Sequence, residues 1–258
     1  MISYLLISVA ALLAALLTFF TGFGLGTLLL PAFALFFPVA VAIGITAVVH
    51  LANNVFKLAL VARHVCWPTV FWFGFPAALA ALAGARLLVL VSALPPICSY
   101  AIGAHQLSVV PIKLLVATLM ASFAFIELSD LSRHICLDSK YMAAGGLVSG
   151  FFGGLSGHQG AFRSIFLLKA GFSKEAFVAT SSAVALLIDL SRLTVYVPQL
   201  LQAEIAQRAG LLAAATSAAL AGSVLGSQLM RKVTFRFIEI AASLLLLLVA
   251  FALASGLI

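Results

Sequence analysis

Residues 147–163 read LVSGFFGGLSGHQGAFR, and the fold turns on how that stretch is understood. Gly150, Gly153, Gly154, Gly157 and Gly160 fall within it. Each glycine inside a helix costs about 1 kcal/mol relative to alanine. So dense a cluster predicts a helix broken near 157–160, giving two short arms joined by a glycine turn. The flanks stay apolar over 141–169, enough to reach into a bilayer. A second stretch of the same kind is Gly22-Phe23-Gly24-Leu25-Gly26, followed by Pro31. Each broken segment either crosses a membrane once or turns back as a hairpin.

The surroundings of these segments are apolar throughout. Hydrophobic residues make up 64% of the 258 and charged residues 8%, where a soluble domain carries about 25% charged. Mean hydropathy is +1.25. No charged residue precedes Lys57. In hydrocarbon, backbone groups must be paired within helices or a closed barrel. The apolar runs are continuous rather than alternating, so helices are expected and the chain reads as an all-α integral membrane protein. The net charge of +7 is scattered between apolar spans; it reads as a topology signal, with the lipid bilayer as partner and no nucleic acid. Cys66, Cys98 and Cys136 have neither metal-ligand spacing nor a CxxC pair, so no metal, cofactor or disulfide framework is expected.

Outward from the glycine stretches, the apolar segments run 2–36, 39–61, 68–91, 107–127, 141–169, 175–197, 210–230 and 237–257. A shift of 136 residues, with no gap, lays Gly24 on Gly160, Ala34 on Ala170, Phe36 on Phe172, Ala40 on Ala176 and Ala47-Val48 on Ala183-Val184. It also lays Thr46 on Ser182 and Asn53 on Asp189. A later pair, 83–87 and 225–229, fits with a shift of 142. Two homologous halves follow, 1–127 and 141–258, joined by a polar cytoplasmic linker over 128–140.

Loop charge separates the two readings of the glycine segments. If each crosses once, one side collects Arg63, Arg133, Lys140 and Arg208, and the other Lys169, Lys174, Arg231, Lys232 and Arg236. That is no bias. If each is a hairpin, one side collects Arg63, Arg133, Lys140, Lys169, Lys174, Arg231, Lys232 and Arg236. The other then holds Arg208, with at most Arg86 and Lys113 at helix ends. Cytoplasmic loops are rich in Lys and Arg, so the hairpin reading is expected, with both termini outside. Each half then has one glycine-broken hairpin and three transmembrane helices. The odd number of crossings makes the halves inverted repeats, a recurrent plan for transporters.

Gly22 to Pro31, Leu147 to Gly157, the run Phe172-Ser173-Lys174-Glu175-Ala176-Phe177-Val178-Ala179-Thr180-Ser181 and Ala83-Gly84-Ala85-Arg86-Leu87-Leu88 resemble the TauE/SafE sulfite exporter family. The resemblance covers nearly the whole chain. It implies a carrier of the bacterial inner membrane for sulfite, a sulfonate such as sulfoacetate, or another small organic anion. The family usually runs Gly-Ile-Gly-Gly-Gly or similar at its second signature, where this chain has Gly157-His158-Gln159-Gly160-Ala161-Phe162-Arg163.

Candidate binding residues follow from the chemistry. Helix N-termini at the hairpin tips, near Gly22, Phe23, Gly24 and Gly26 and near Gly157 and Gly160, would present unpaired N–H groups and a partial positive charge to an anion. The same glycines also suit tight helix packing. Arg163, in the first turn after the break, offers a planar fork for an oxyanion; snorkelling or a structural carboxylate partner would also account for it. His158 and Gln159 lie on the turn and could donate to the same anion. His50, Asn53, Asn54 and Lys57 form a polar face on one helix, with Thr46 and Ser182 as further cavity candidates. Asp189 and Arg192 are three residues apart and share a helix face. Asp189 could accept a coupling H+ or Na+ and Arg192 could bind substrate, or the two could form a self-neutralising structural pair. A secondary transporter working by alternating access is the first reading. An anion channel, and less so an intramembrane enzyme, are the alternatives; HExxH and the nucleophile elbow are absent. A homo-oligomer is compatible with all three.

Overall fold

The computed structural model describes residues 2–18, 25–103, 105–129, 139–167, 171–229 and 235–257. The chain forms α1 (Ile2–Thr18), α2 (Leu25–Ala34) and α3 (Val39–Val61), then α4 (Trp67–Ser92), which contains a π turn at Val70–Gly74. Strands β1 (Cys98–Ile102) and β2 (His105–Val109) precede α5 (Pro111–Leu128). The second part comprises α6 (Met142–Ser156), α7 (Gly160–Leu167), α8 (Lys174–Gln202), α9 (Ala209–Leu229) and α10 (Phe235–Ala254). These elements follow the apolar segments of the sequence to within a few residues. Residues 39–64, 67–92, 174–202 and 209–228 are long and apolar enough to cross a membrane. Large apolar side chains such as Leu5, Leu79, Leu244, Leu248 and Phe251 point outward. That arrangement suits a lipid surround, which solvates leucine as well as a protein core does.

Helix boundaries follow local chemistry. Pro68 and Pro111 stand in the first turns of α4 and α5, where a missing N–H costs nothing. Ser173 caps α8, its hydroxyl accepting from the amide of Ala176 at 3.2 Å. Gly157 ends α6 in the left-handed region at φ 83°, which favours glycine. The chain then reverses: Ser149 Oγ donates to the Gln159 carbonyl at 3.0 Å, Phe152 stacks on Phe162 at 5.2 Å, and Phe166 lies against Gly145. Gly153 lies by Gln159, Phe152 by Phe162 and Gly145 by Phe166, so α7 runs back along α6. Residues 19–24, between α1 and α2, and 130–138, most of the linker, lie outside the described residues.

Helix directions are fixed by contacts. Gly146, Gly150 and Gly154 on α6 lie against the carbonyls of Phe73, Ala77 and Ala81 on α4, where an added Cβ would come within 2.0–2.2 Å of the carbonyl oxygens. The constant offset of 73 residues makes α4 and α6 parallel and backbone-close. Gly222 on α9 meets the Leu12 carbonyl on α1 in the same manner. In contrast α3 and α8 are antiparallel: Gly44 lies by Leu200, while His50 meets Asp189.

One element departs from the all-helical expectation. Cys98–Ile102 pairs antiparallel with His105–Val109, Ile102 opposite His105, across a tight turn at Gly103. Pro95-Pro96 ends the preceding helix, and five-residue strands are too short to register in a reading tuned to membrane-length apolar runs. The hairpin rests on the end of α10, where the Tyr100 hydroxyl donates to the Ser255 carbonyl.

Candidate functional site

Membrane helices rarely bury charge without a purpose. Among the described residues the interior holds three cationic side chains, Lys57 (6% exposed), Arg163 (4%) and Arg192 (0%), and one acidic one, Asp189 (0%). They divide into two groups.

Asp189 and Arg192 close on each other. Arg192 donates to Asp189 Oδ1 through Nη2 at 2.7 Å and Nε at 3.0 Å, and through Nη1 to the Gly153 carbonyl at 3.1 Å. Gly153 lies in the last turn of α6, so the guanidinium also sits where the helix dipole favours a cation. Tyr196 donates its hydroxyl to the adjacent Gly154 carbonyl. His50 Nδ1 sits 2.6 Å from the other oxygen of Asp189. Asn54 Nδ2 approaches that oxygen at 3.5 Å and Gln159 Nε2 approaches Oδ1 at 3.4 Å. Both oxygens of Asp189 thus face donors from α3, α8 and the α6–α7 turn.

Arg163 is placed differently. It stands on α7, its amide donating to the Gln159 carbonyl at 3.2 Å. Its Nε and Nη1 find no hydrogen-bond partner among the described residues. The guanidinium borders a cavity lined by Thr18, Leu25, His50, Asn54, Lys57, Phe177, Val178, Ser181 and Ser182. No Asp or Glu is among them. Ser181 Oγ, also on this wall, is likewise without a partner. The cavity therefore collects Arg163 from α7, His50, Asn54 and Lys57 from α3, and the hydroxyls of Ser181 and Ser182 from α8.

The other sequence candidates take up positions around this wall. Thr46 touches Gly26, whose added Cβ would be 3.5 Å from Thr46 Cγ2 and 3.4 Å from the Gly157 carbonyl oxygen. The start of α2 thus meets the second glycine turn, and the group facing it is a carbonyl rather than an N–H. Asn53 points away to α9, its Oδ1 accepting from Ser223 Oγ at 2.6 Å. His158 stacks on Phe123 at 5.1 Å and shares Nδ1 with Ser156 at 3.1 Å. Gly157, Gly160, His158, Gln159 and Arg192 are buried but do not line the cavity. Gly22, Phe23 and Gly24 lie outside the described residues. Sequence reasoning passed over Thr18, Phe177 and Ser181. Ser181 carried a signal, since Thr180-Ser181-Ser182 puts three hydroxyls in succession inside an otherwise apolar helix.

Apolar helices long enough to cross a membrane thus enclose a buried, cation-rich pocket. The chain belongs to the family described as Sulfite exporter TauE/SafE, whose model matches residues 7–253. It is thereby a multi-pass membrane protein of an anion-transporter family. Neither curated proteins nor solved structures give a match.

Proposed function

We propose that this protein is a secondary transporter of a small oxyanion, sulfite or a short sulfonate, in the bacterial inner membrane, and that Arg163 is the anion's main partner. The observation that carries the reading is the buried Arg163 guanidinium, whose Nε and Nη1 find no partner among the described residues, on a wall where none of the described residues is a carboxylate. An arginine stays charged under all physiological conditions. Buried donors left unpaired cost about 1–3 kcal/mol each, more when charged. An oxyanion's paired oxygens match the guanidinium fork and relieve that cost. Lys57 adds an amine donor, and Ser181 and Ser182 offer hydroxyl donors. Size favours a small ligand: the cavity volume is about 20 Å³, where one water needs roughly 10–15 Å³.

The helix directions support two inverted repeats, 1–127 and 141–258. The α1–α2, α3, α4 and α5 series corresponds to α6–α7, α8, α9 and α10. Each close pairing then has its mate: α4 on α6 matches α9 on α1, and α3 crosses its own counterpart α8. Re-entrant hairpins also account for contacts that single crossings would separate. The Arg208 guanidinium lies 4.9 Å over the Phe37 ring, the Cys66 amide donates to Thr180 Oγ1 at 3.0 Å, and β1 reaches Ser255. With the site between the halves, rocking of one against the other would open it to each side in turn. An anion channel remains the rival reading.

Binding tests the assignment. Titration of sulfite into the detergent-purified protein should give a saturable isotherm and a thermal stabilisation. Arg163→Gln should weaken binding by roughly 2–5 kcal/mol, the cost of truncating one member of a buried charge pair. Arg163→Lys keeps the charge but not the fork and should fall between. Unchanged affinity in a folded Arg163→Gln protein removes Arg163 from the site.

A further inference from the structure

We infer that His50, and not Asp189, carries the coupling proton, taking it up together with the anion; this rests on the anion-site reading above. Asp189 is poorly placed to titrate. Its Oδ1 already receives two charged donors from Arg192, at 2.7 and 3.0 Å. Neutralising it would strand that guanidinium in the interior. A carboxylate held this way only accepts, so the 2.6 Å contact requires His50 Nδ1 to donate to Oδ2. Nε2 is then the nitrogen that gains a proton, on a ring that borders the cavity.

The charges around the ring set the condition for protonation. On its own helix α3 stands Lys57, with the Asn54 amide 3.0 and 3.3 Å from the two ring nitrogens. From α8 come Asp189, in direct contact with His50 Nδ1, and Arg192, paired to the other carboxylate oxygen. From α7 comes Arg163, and from the α6–α7 turn Gln159, whose Nε2 is 3.4 Å from His50 Nδ1. Among the described residues, α1 and α2 bring Thr18 and Leu25 to the cavity. Without an anion, an imidazolium would join Arg163 and the Lys57 amine around the cavity, with Asp189, already shared with Arg192, as the one carboxylate in contact with the ring among the described residues. An anion in the cavity reverses that balance and supplies an acceptor for Nε2–H. Coupling between two sites is reciprocal, so the anion then binds more tightly as pH falls, and a proton travels with it. A monoanion and one proton moving together carry no net charge through the bilayer core.

Calorimetry of methanesulfonate binding to the detergent-purified full chain, in buffers of different ionisation enthalpy, reads the proton directly. Methanesulfonate stays ionised across about pH 5–8, where histidine titrates, so any proton taken up belongs to the protein. The expected result is uptake of about one proton per anion, with affinity falling about tenfold per pH unit on the alkaline side, as linkage requires. His50→Gln keeps a donor for Asp189 and should bind with no proton uptake and a flat pH profile. Lys57→Gln should bind more weakly with the uptake intact. Binding by the wild-type chain without proton uptake overturns the inference and leaves the anion site standing; this measurement needs no variant to fold. Uptake that survives in His50→Gln, or disappears in Lys57→Gln, also overturns it. No binding at any pH removes the anion site for sulfonates and this inference with it.

Discussion

Removing the charge of Asp189 should destabilise the protein far more than removing both partners of its ion pair. Asp189 and Arg192 are each fully buried, joined at 2.7 and 3.0 Å through one carboxylate oxygen. Asp189→Asn turns that arrangement into an uncompensated guanidinium with a neutral amide facing its donors. Breaking a buried pair from one side costs about 3–5 kcal/mol, whereas replacing both partners by apolar groups of similar volume is often neutral. Arg192→Met alone should fall in the same range, since it strands the carboxylate and leaves the Gly153 carbonyl without its donor. The double variant Asp189→Leu, Arg192→Met should lose less than either single change. His50 limits the recovery, because its Nδ1 loses an acceptor at 2.6 Å. Reversible unfolding in mixed detergent micelles, run as a double-mutant cycle, measures the coupling. Additive losses, or a folded Asp189→Asn protein as stable as the wild type, would refute the structural-pair account.

Two further outcomes follow from the packing and the topology. Gly150→Ala would put a Cβ 2.0 Å from the Ala77 carbonyl oxygen; overpacking of this kind costs typically about 1–3 kcal/mol, so its thermal midpoint should drop. Gly26→Ala meets its nearest neighbour at 3.4 Å and should drop less; equal midpoints for the two variants count against the backbone-close packing of α4 and α6. In single-cysteine proteins, Cys98 and a Ser255→Cys substitution should both react with a membrane-impermeant maleimide added outside intact cells. Labelling of the two from opposite faces would eliminate the re-entrant hairpins.

Much of the frame is legible in the order of the residues, because the bilayer imposes one rule. Continuous apolar runs must be helices, and breakers such as Pro38, Pro68 and Pro95-Pro96 mark their ends. Gly157 shows as the turn because so many glycines around one point leave a helix little reason to continue. The pairing of Asp189 with Arg192 is legible from spacing. Long-range partners are not. Nothing in the sequence tells that Asn53 turns to Ser223 while its neighbour Asn54 turns to the cavity, since one residue rotates a helical side chain by about 100° and helix rotation is set by packing. His50 against Asp189 joins residues 139 apart. The short β hairpin escapes because membrane-scale windows average over five-residue strands.

Counterflow of radiolabelled sulfite into proteoliposomes tests the central claim most directly. With excess unlabelled sulfite inside and a trace of label outside, a carrier exchanges one for the other without net flux. The account predicts a transient, saturable accumulation of label in wild-type vesicles and its loss in Arg163→Gln vesicles that hold equal amounts of folded protein. Flux no greater than in protein-free vesicles, or a linear, non-saturating conductance, would contradict it.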